Sequence, residues 1–459
     1  MMKAKKTSLY ILLLLLTGVL IFFGPYGDHP VSAALDRSVY KQLKIFSEVL
    51  DIIDKNYVEP VNAKDLLRGA INGMIKTLDP HSSFMTAEMY KELEVETRGS
   101  FGGIGIEITI HKDILTVVSP IEDTPAYLAG IKAGDQIIKI DGKPTKDITI
   151  MDAVKMIRGP KDTKVTLSIM REGNTQLKDF VITRSIIKVA SVKYKILDDG
   201  IAYIRVASFQ DKTGEDLRKA IREMTSKAGP LRGIVLDLRY NPGGLLTQSV
   251  AVADVFLKSG LIVSTRGRAK GTESKAMARD NGDEPTCPIV CLVNEGTASA
   301  AEIVAGALQD HGRAIILGTQ TFGKGSVQTV IPLENGDALK LTTARYYTPK
   351  GRSIQAEGIV PDIVVKYQRS PGEPDMEDYV VREKDLKGHI PSPEEKKKGN
   401  NDGLMQGDER KPPPERKDKD SPKGAFKKRP FGDVTTDNQL KSAVDILKSW
   451  EIFQKKSTK

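Results

Sequence analysis

Three short apolar runs fix the centre of this 459-residue chain. Residues 233–239, 288–293 and 314–317 are almost free of polar side chains, and their length and β-branched content read as buried strands. Between the last two, residues 300–308 read as a helix with Ile303, Val304, Ala307 and Leu308 on one side. A strand–helix–strand unit places both of its loops at one C-terminal edge of a sheet.

That edge collects reactive groups. Gly296-Thr297-Ala298-Ser299-Ala300-Ala301-Glu302 puts Ser299 at a helix N-terminus, where free N–H groups stabilise negative charge. Lys324 follows the next strand within Phe322-Gly323-Lys324-Gly325-Ser326-Val327-Gln328. A lysine serves as base only when its amine is neutral, which needs desolvation or a nearby cation. Gly323 and Gly325 allow close backbone approach, and Gln328 falls on the face of Lys324 and Ser326 by period two, where its amide can orient the lysine. The apolar run 233–239 breaks into Tyr240-Asn241-Pro242-Gly243-Gly244, and a glycine pair at a strand end exposes N–H groups suited to a developing oxyanion. Ala300 N–H, beside the serine, is the second expected donor. The other base within reach of the argument is His311, but it ends the helix that Ser299 begins, roughly 18 Å away along the axis.

Leu236-Asp237-Leu238-Arg239 with Asn241-Pro242-Gly243-Gly244, the run 296–302 and Lys324-Gly325-Ser326-Val327-Gln328 together resemble the carboxyl-terminal processing (tail-specific) proteases. Tyr346-Tyr347-Thr348-Pro349-Lys350-Gly351-Arg352-Ser353-Ile354-Gln355 and Gly358-Ile359-Val360-Pro361-Asp362 resemble the same family, so the likeness spans about residues 36–365 and a short C-terminal piece. Thr297 and Ala301 depart from it, standing where relatives often have serine. The resemblance implies Ser299 as nucleophile, Lys324 as general base, Gln328 as its orienter, and Gly243 or Gly244 with Ala300 as oxyanion hole. It also implies cleavage of protein substrates near their C-termini, a PDZ domain that engages the tail, and no cofactor. A non-catalytic PDZ adaptor is the reading from a different class.

The PDZ expectation rests on Phe101-Gly102-Gly103-Ile104-Gly105-Ile106-Glu107-Ile108, a glycine loop with a strand that alternates Ile104, Ile106 and Ile108 on one face. Gly103, Ile104, Gly105 and Ile106 resemble a carboxylate-binding loop, beside which a peptide adds as a strand. An Asp141-Gly142 turn and a helix bearing Ile150, Val154 and Ile157, with Thr149 and Asp152 as capping box, follow. In Arg158-Gly159-Pro160-Lys161-Asp162-Thr163, Asp162 replaces the family's glycine and tolerates a left-handed backbone. Arg158 is either a coupler of the PDZ domain to the active site or a solvated arginine at a helix end.

Lys3, Lys5 and Lys6 before an apolar run at 9–23, with Val31-Ser32-Ala33 beyond, have the layout of a signal peptide, cleaved near Ala33 or Ala34 or kept as an anchor. The expected location is the periplasm or the extracytoplasmic face of the membrane. Cys287 and Cys291 lie four apart on one strand, roughly 13 Å, too far for a disulfide. The five histidines form no metal cluster, and the net charge of +9 is too diffuse for a nucleic-acid reader. Much of the charge lies in 372–429, whose few apolar residues suit a mobile linker. The expected fold is α/β and multidomain: leader or anchor 1–34, N-terminal helical region 36–90, β-rich PDZ domain with helices 92–186, α/β serine protease core with parallel and mixed sheet 187–366, disordered charged insertion 367–432, and C-terminal helix 433–459. Its helices at 40–58 and 63–78 and at the C-terminus suggest a homodimer, with an adaptor or activating protein as a further partner. Asp79 and His81, between the N-terminal helices and the PDZ domain, read as capping and turn residues.

Overall fold

A computed structural model describes residues 37–111, 113–171, 173, 176–368, 380–395 and 431–457. The leader and most of the charged insertion lie outside them. The chain divides into two compact units, the first ending at Met74. In the first, helix Arg37–Asn56 carries exposed apolar residues, among them Tyr40, Leu43, Phe46, Val49 and Ile52.

In the second unit, after strand Ser83–Met85, helix Ala87–Arg98 stops at Gly99 in a left-handed conformation and passes to the segment expected to be a PDZ domain. There, strands Ile106–His111, Ile114–Pro120, Gln136–Ile140, Lys164–Met170 and Lys178–Thr183 form one antiparallel sheet around a core of Ile104, Leu115, Ile137, Val165 and Ile182. Thr149 caps helix Ile150–Ile157 as expected: its Oγ1 accepts the Asp152 N–H and donates to the Asp152 carboxylate. Asp162 adopts φ 68, and Asp141 and Gly142 both have positive φ, as their turns require. The strand expected to run through Ile104, Ile106 and Ile108 is interrupted. Gly105 at φ 79 turns the chain, so only Ile106 onward joins the sheet.

The core sheet runs Val192–Ile196, Ile201–Val206, Gly233–Asp237, Ile289–Val293, Ile315–Gly318 and Ile363–Val364, parallel after the first pair. Alternate residues supply its two faces, as the pleat demands. Ile204, Ile234, Leu236 and Cys291 face helices Thr213–Ala228, Leu246–Asp254 and Ala300–Asp310; Tyr203, Val235, Val290 and Leu292 face Leu440, Ala443, Val444 and Leu447 of helix Asn438–Ser457. The C-terminal helix therefore docks within its own chain, while Trp450, Ile452 and Phe453 stay exposed. A second sheet holds the long strand Ala338–Tyr347 between Ser326–Pro332, Leu261–Gly267 and Ser83–Met85. Both cysteines are free, but only Cys291 is on the expected strand: the strand begins at Ile289, so Cys287 precedes it.

One part of the 367–432 expectation needs correction. Residues 380–395 pack onto the core with Glu383 fully buried, held by hydrogen bonds and not by apolar burial: Arg382 donates to Gln320, Glu383 N–H to Phe322 O, and Gln355 to both Glu383 and Ile390 O, while Val380 and Val381 stay exposed.

Candidate active site

The strand Ile289–Val293 ends in a turn knitted by Asn294 and Thr297. Thr297 Oγ1 donates to Leu238 O and accepts the Asn294 N–H, so the turn is pinned to the neighbouring strand's end. Ser299 then takes φ 57 and ψ −117, a conformation that non-glycine residues rarely occupy, before helix Ala300–Asp310 begins.

Glu302, one turn into that helix, is completely buried. Its Oε2 accepts the N–H of Ser299 at 2.7 Å and of Lys324 at 2.9 Å; its Oε1 accepts Gly323 N–H at 2.8 Å and the Thr321 hydroxyl. One carboxylate thus joins the two turns that the strand–helix–strand unit brings to the same edge. Burial pushes the Glu302 carboxyl up to about 7 while these donors pull it down.

Tyr346, buried on the second sheet, makes the other bridge. Its hydroxyl lies 3.1 Å from Ser299 Oγ and donates to the Lys324 carbonyl oxygen. A phenol has one proton, so with that proton on the carbonyl the Ser299 hydroxyl is the donor to Tyr346. Burial, with Glu302 and Glu383 nearby, holds the phenol well above its ordinary range and keeps it protonated.

Lys324 is mostly buried. Desolvation and the neighbouring Lys340 bring its amine down to about 8, against Glu383, Glu302 and Asp79. Its Nζ has no hydrogen-bond partner among the described residues. Gln328 makes no hydrogen bond to it: the Gln328 amide donates to Ser326 Oγ at 3.0 Å and Thr342 Oγ1 at 3.3 Å. Lys324 precedes the strand, which starts at Ser326, so period two does not extend back to it.

The glycine turn closes the site. Asn241, fully buried, donates to Val206 O, and its Oδ1 accepts Gly243 N–H at 2.9 Å. A methyl group on Gly243 would lie 2.9 Å from Ser299 Cβ and 3.1 Å from Ala300 N, so this turn stands directly against the nucleophile. Gly243 N–H is occupied; Gly244 N–H donates to no group among the described residues, and Ala300 N–H opens the helix without an i−4 acceptor. His311 sits at the far end of the helix, its ring bonded to Leu261 O. Asp79 caps the N–H groups of His81 and Ser82, as expected of a turn residue, and His81 bonds Glu383.

In the PDZ domain, Gly103, Ile104 and Gly105 are buried, and the N–H groups of Ile104 and Gly105 have no acceptor among the described residues. The Arg158 guanidinium stacks on Phe101, 4.4 Å from its ring centre, and Phe101 covers Gly103. The arginine that ties the 158–163 turn together is Arg184, donating to Met156 O, Ile157 O and Lys164 O.

Sequence reasoning passed over Tyr346, Asn241, Gln355 and Glu383, and the role of Glu302. Only Glu302 had a local signal, the Ser-x-x-Glu capping pattern.

Residues 200–365 match the model of Peptidase family S41, residues 116–171 that of a PDZ domain, and residues 28–89 that of the activating protease CtpB N-terminal domain. The chain is 50% identical over 368 residues to a carboxy-terminal-processing protease of Bartonella bacilliformis, covering 79% of this chain and 84% of that protein. It is 37% identical over 333 residues to carboxy-terminal processing protease CtpA of Bacillus subtilis, covering 72% and 70%.

Proposed function

The chain belongs to peptidase family S41, a serine-type peptidase with a PDZ domain, and from that premise we propose that it cleaves exported protein substrates near their C-termini with a Ser299–Lys324 dyad. The observation that carries the reading is the desolvated, unpartnered amine of Lys324 on a loop bridged to Ser299 by both Glu302 and Tyr346.

The neutral Lys324 amine takes the Ser299 proton as Oγ attacks the scissile carbonyl. Negative charge on the carbonyl oxygen meets the N–H groups of Ala300 and Gly244, with Gly243 holding the turn against the serine. The Lys324 ammonium then protonates the leaving amine, and water hydrolyses the acyl-enzyme by the same exchange in reverse. Gln328, bonded to Ser326 and Thr342, makes no bond to the Lys324 amine, so its part in this reading is to hold the strand that follows the base loop.

The free N–H groups of Ile104 and Gly105 suit the terminal carboxylate of a substrate tail, which would add as a strand beside Ile106. Arg158 and Phe101 stand over that loop, so tail binding and Arg158 position are linked in this reading. The lysine-flanked apolar run at 9–23 supports export to the periplasm or the outer face of the membrane. The exposed apolar residues of helix Arg37–Asn56 support pairing with a second copy, which light scattering of the full chain measures.

Mass spectrometry of products from candidate envelope proteins tests the whole. Wild type should release fragments trimmed near the C-terminus; Ser299→Ala and Lys324→Ala should release none. Cleavage by Ser299→Ala removes the nucleophile from this reading, and tail binding without any wild-type cleavage favours the adaptor.

A further inference from the structure

The base loop, residues 319–325, is held between two buried carboxylates. Glu302 takes Thr321, Gly323 and Lys324 on one side. On the other lie residues 380–395, which return from an otherwise polar stretch. Arg382 donates to Gln320 Oε1 at 2.6 Å, and Glu383 N–H donates to Phe322 O at 3.1 Å. The Glu383 carboxylate receives His81 Nε2 at 2.7 Å and Gln355 Nε2 at 2.8 Å, and Gln355 Oε1 in turn accepts Gly325 N–H at 3.0 Å. Glu383 and Gln355 are both fully buried.

A carboxylate without a lysine or arginine partner is costly to bury, so a neutral side chain of similar size would stabilise this place better. We propose that Glu383 is a positioning residue for the catalytic base: through Gln355 it fixes the loop at Gly325, the residue after Lys324, and it brings a buried carboxylate to the base loop. This rests on Lys324 being that base. The charged groups facing the amine are Lys340, which lowers its pKa, and Glu383, Glu302 and Asp79, which raise it; His81 reaches it only through Glu383. A lysine base must be neutral enough to accept a proton yet basic enough to hold it. Desolvation supplies the first condition, and Glu383 contributes to the second.

The test is kcat/KM against pH for full-length wild type, Glu383→Gln, Glu383→Ala and Lys324→Ala on one protein substrate. Gln keeps the shape and its contact with Gln355 but removes the charge. Its acidic limb should move to lower pH by about half a unit or more, with a thermal midpoint at or above that of wild type. Glu383→Ala, which leaves the Gln355 amide with only its bond to Ile390 O, should lose about tenfold or more in kcat. A folded Glu383→Gln whose limb stays in place, or moves to higher pH, overturns the proposal even if Glu383→Ala fails to fold. Activity in Lys324→Ala would instead sink the dyad itself; an inactive Lys324→Ala with an unmoved Glu383→Gln limb sinks this proposal alone.

Discussion

Glu302 accepts the backbone N–H of Ser299 at 2.7 Å, so the carboxylate that follows the nucleophile by one helical turn also sets the nucleophile's backbone. All four groups around it donate, and a carboxylate is the only side chain there that accepts from every one. Glu302→Gln turns one oxygen into an NH2 that faces N–H donors. We expect kcat to fall about a hundredfold and stability to drop by roughly 1–3 kcal/mol. Urea denaturation and single-turnover kinetics measure the two effects; an unchanged kcat would detach Glu302 from the chemistry.

Lys324 predicts a pH dependence whose sign is fixed by its role. The neutral amine is the active form, so kcat/KM should rise tenfold per pH unit and level off near the amine's pKa of about 8. A profile flat from pH 6 to 9 would contradict a lysine base. The same desolvation costs stability. The amine's pKa falls from 10.5 in the unfolded chain to about 8 in the folded one, so the cost of charging it is full below the folded value and gone above 10.5. Lys324→Met should therefore be inactive yet more stable at pH 7, by on the order of 2–3 kcal/mol, with the gain fading between pH 8 and 10.5.

Gly243 has φ 105, and a Cβ there would crowd Ser299 Cβ at 2.9 Å. Gly243→Ala combines backbone strain with a clash against the nucleophile. Activity should fall a hundredfold or more, on the scale of a lost oxyanion donor. Reaction with a fluorophosphonate probe reads the site without a protein substrate, and wild-type labelling would show that the turn is not part of it.

The strands, the Ser299 turn and its meeting with Lys324 were legible because each depends on local pattern: apolar run length, a glycine break and a helix start. The groups that complete the site were not, because they arrive from elsewhere in the chain. Tyr346 reaches Ser299 from 47 positions away, on a different sheet. Glu383 meets His81 across 302 positions, from a segment held by hydrogen bonds that its composition does not reveal. Period two misplaced Gln328 because Lys324 lies on a loop before the strand begins. Gly243, read as an oxyanion donor, is instead occupied by Asn241, two residues before it, a side-chain turn that glycine spacing does not reveal.

Arg239 shows why the C-terminal helix matters to the site. Its guanidinium forms two hydrogen bonds with the buried Asp237 and two with Asp437, and Asp437 caps the helix by accepting Leu440 N–H. Two residues later the chain enters Asn241 and the glycine turn. The helix is thus fastened to the strand end from which the oxyanion turn springs. Arg239→Met leaves Asp237 buried with the Tyr203 hydroxyl and one backbone N–H, which should cost about 3–5 kcal/mol. Adding Asp237→Leu removes the orphaned charge, so the double variant should recover much of that loss while remaining a poor enzyme, because the turn has lost its anchor. Chemical denaturation of both variants decides the point: a single variant losing less than about 1 kcal/mol would mean that the helix is held without Arg239, by Leu440, Ala443, Val444 and Leu447 and by the bonds of Asn438 and Gln439 to residues 365–368.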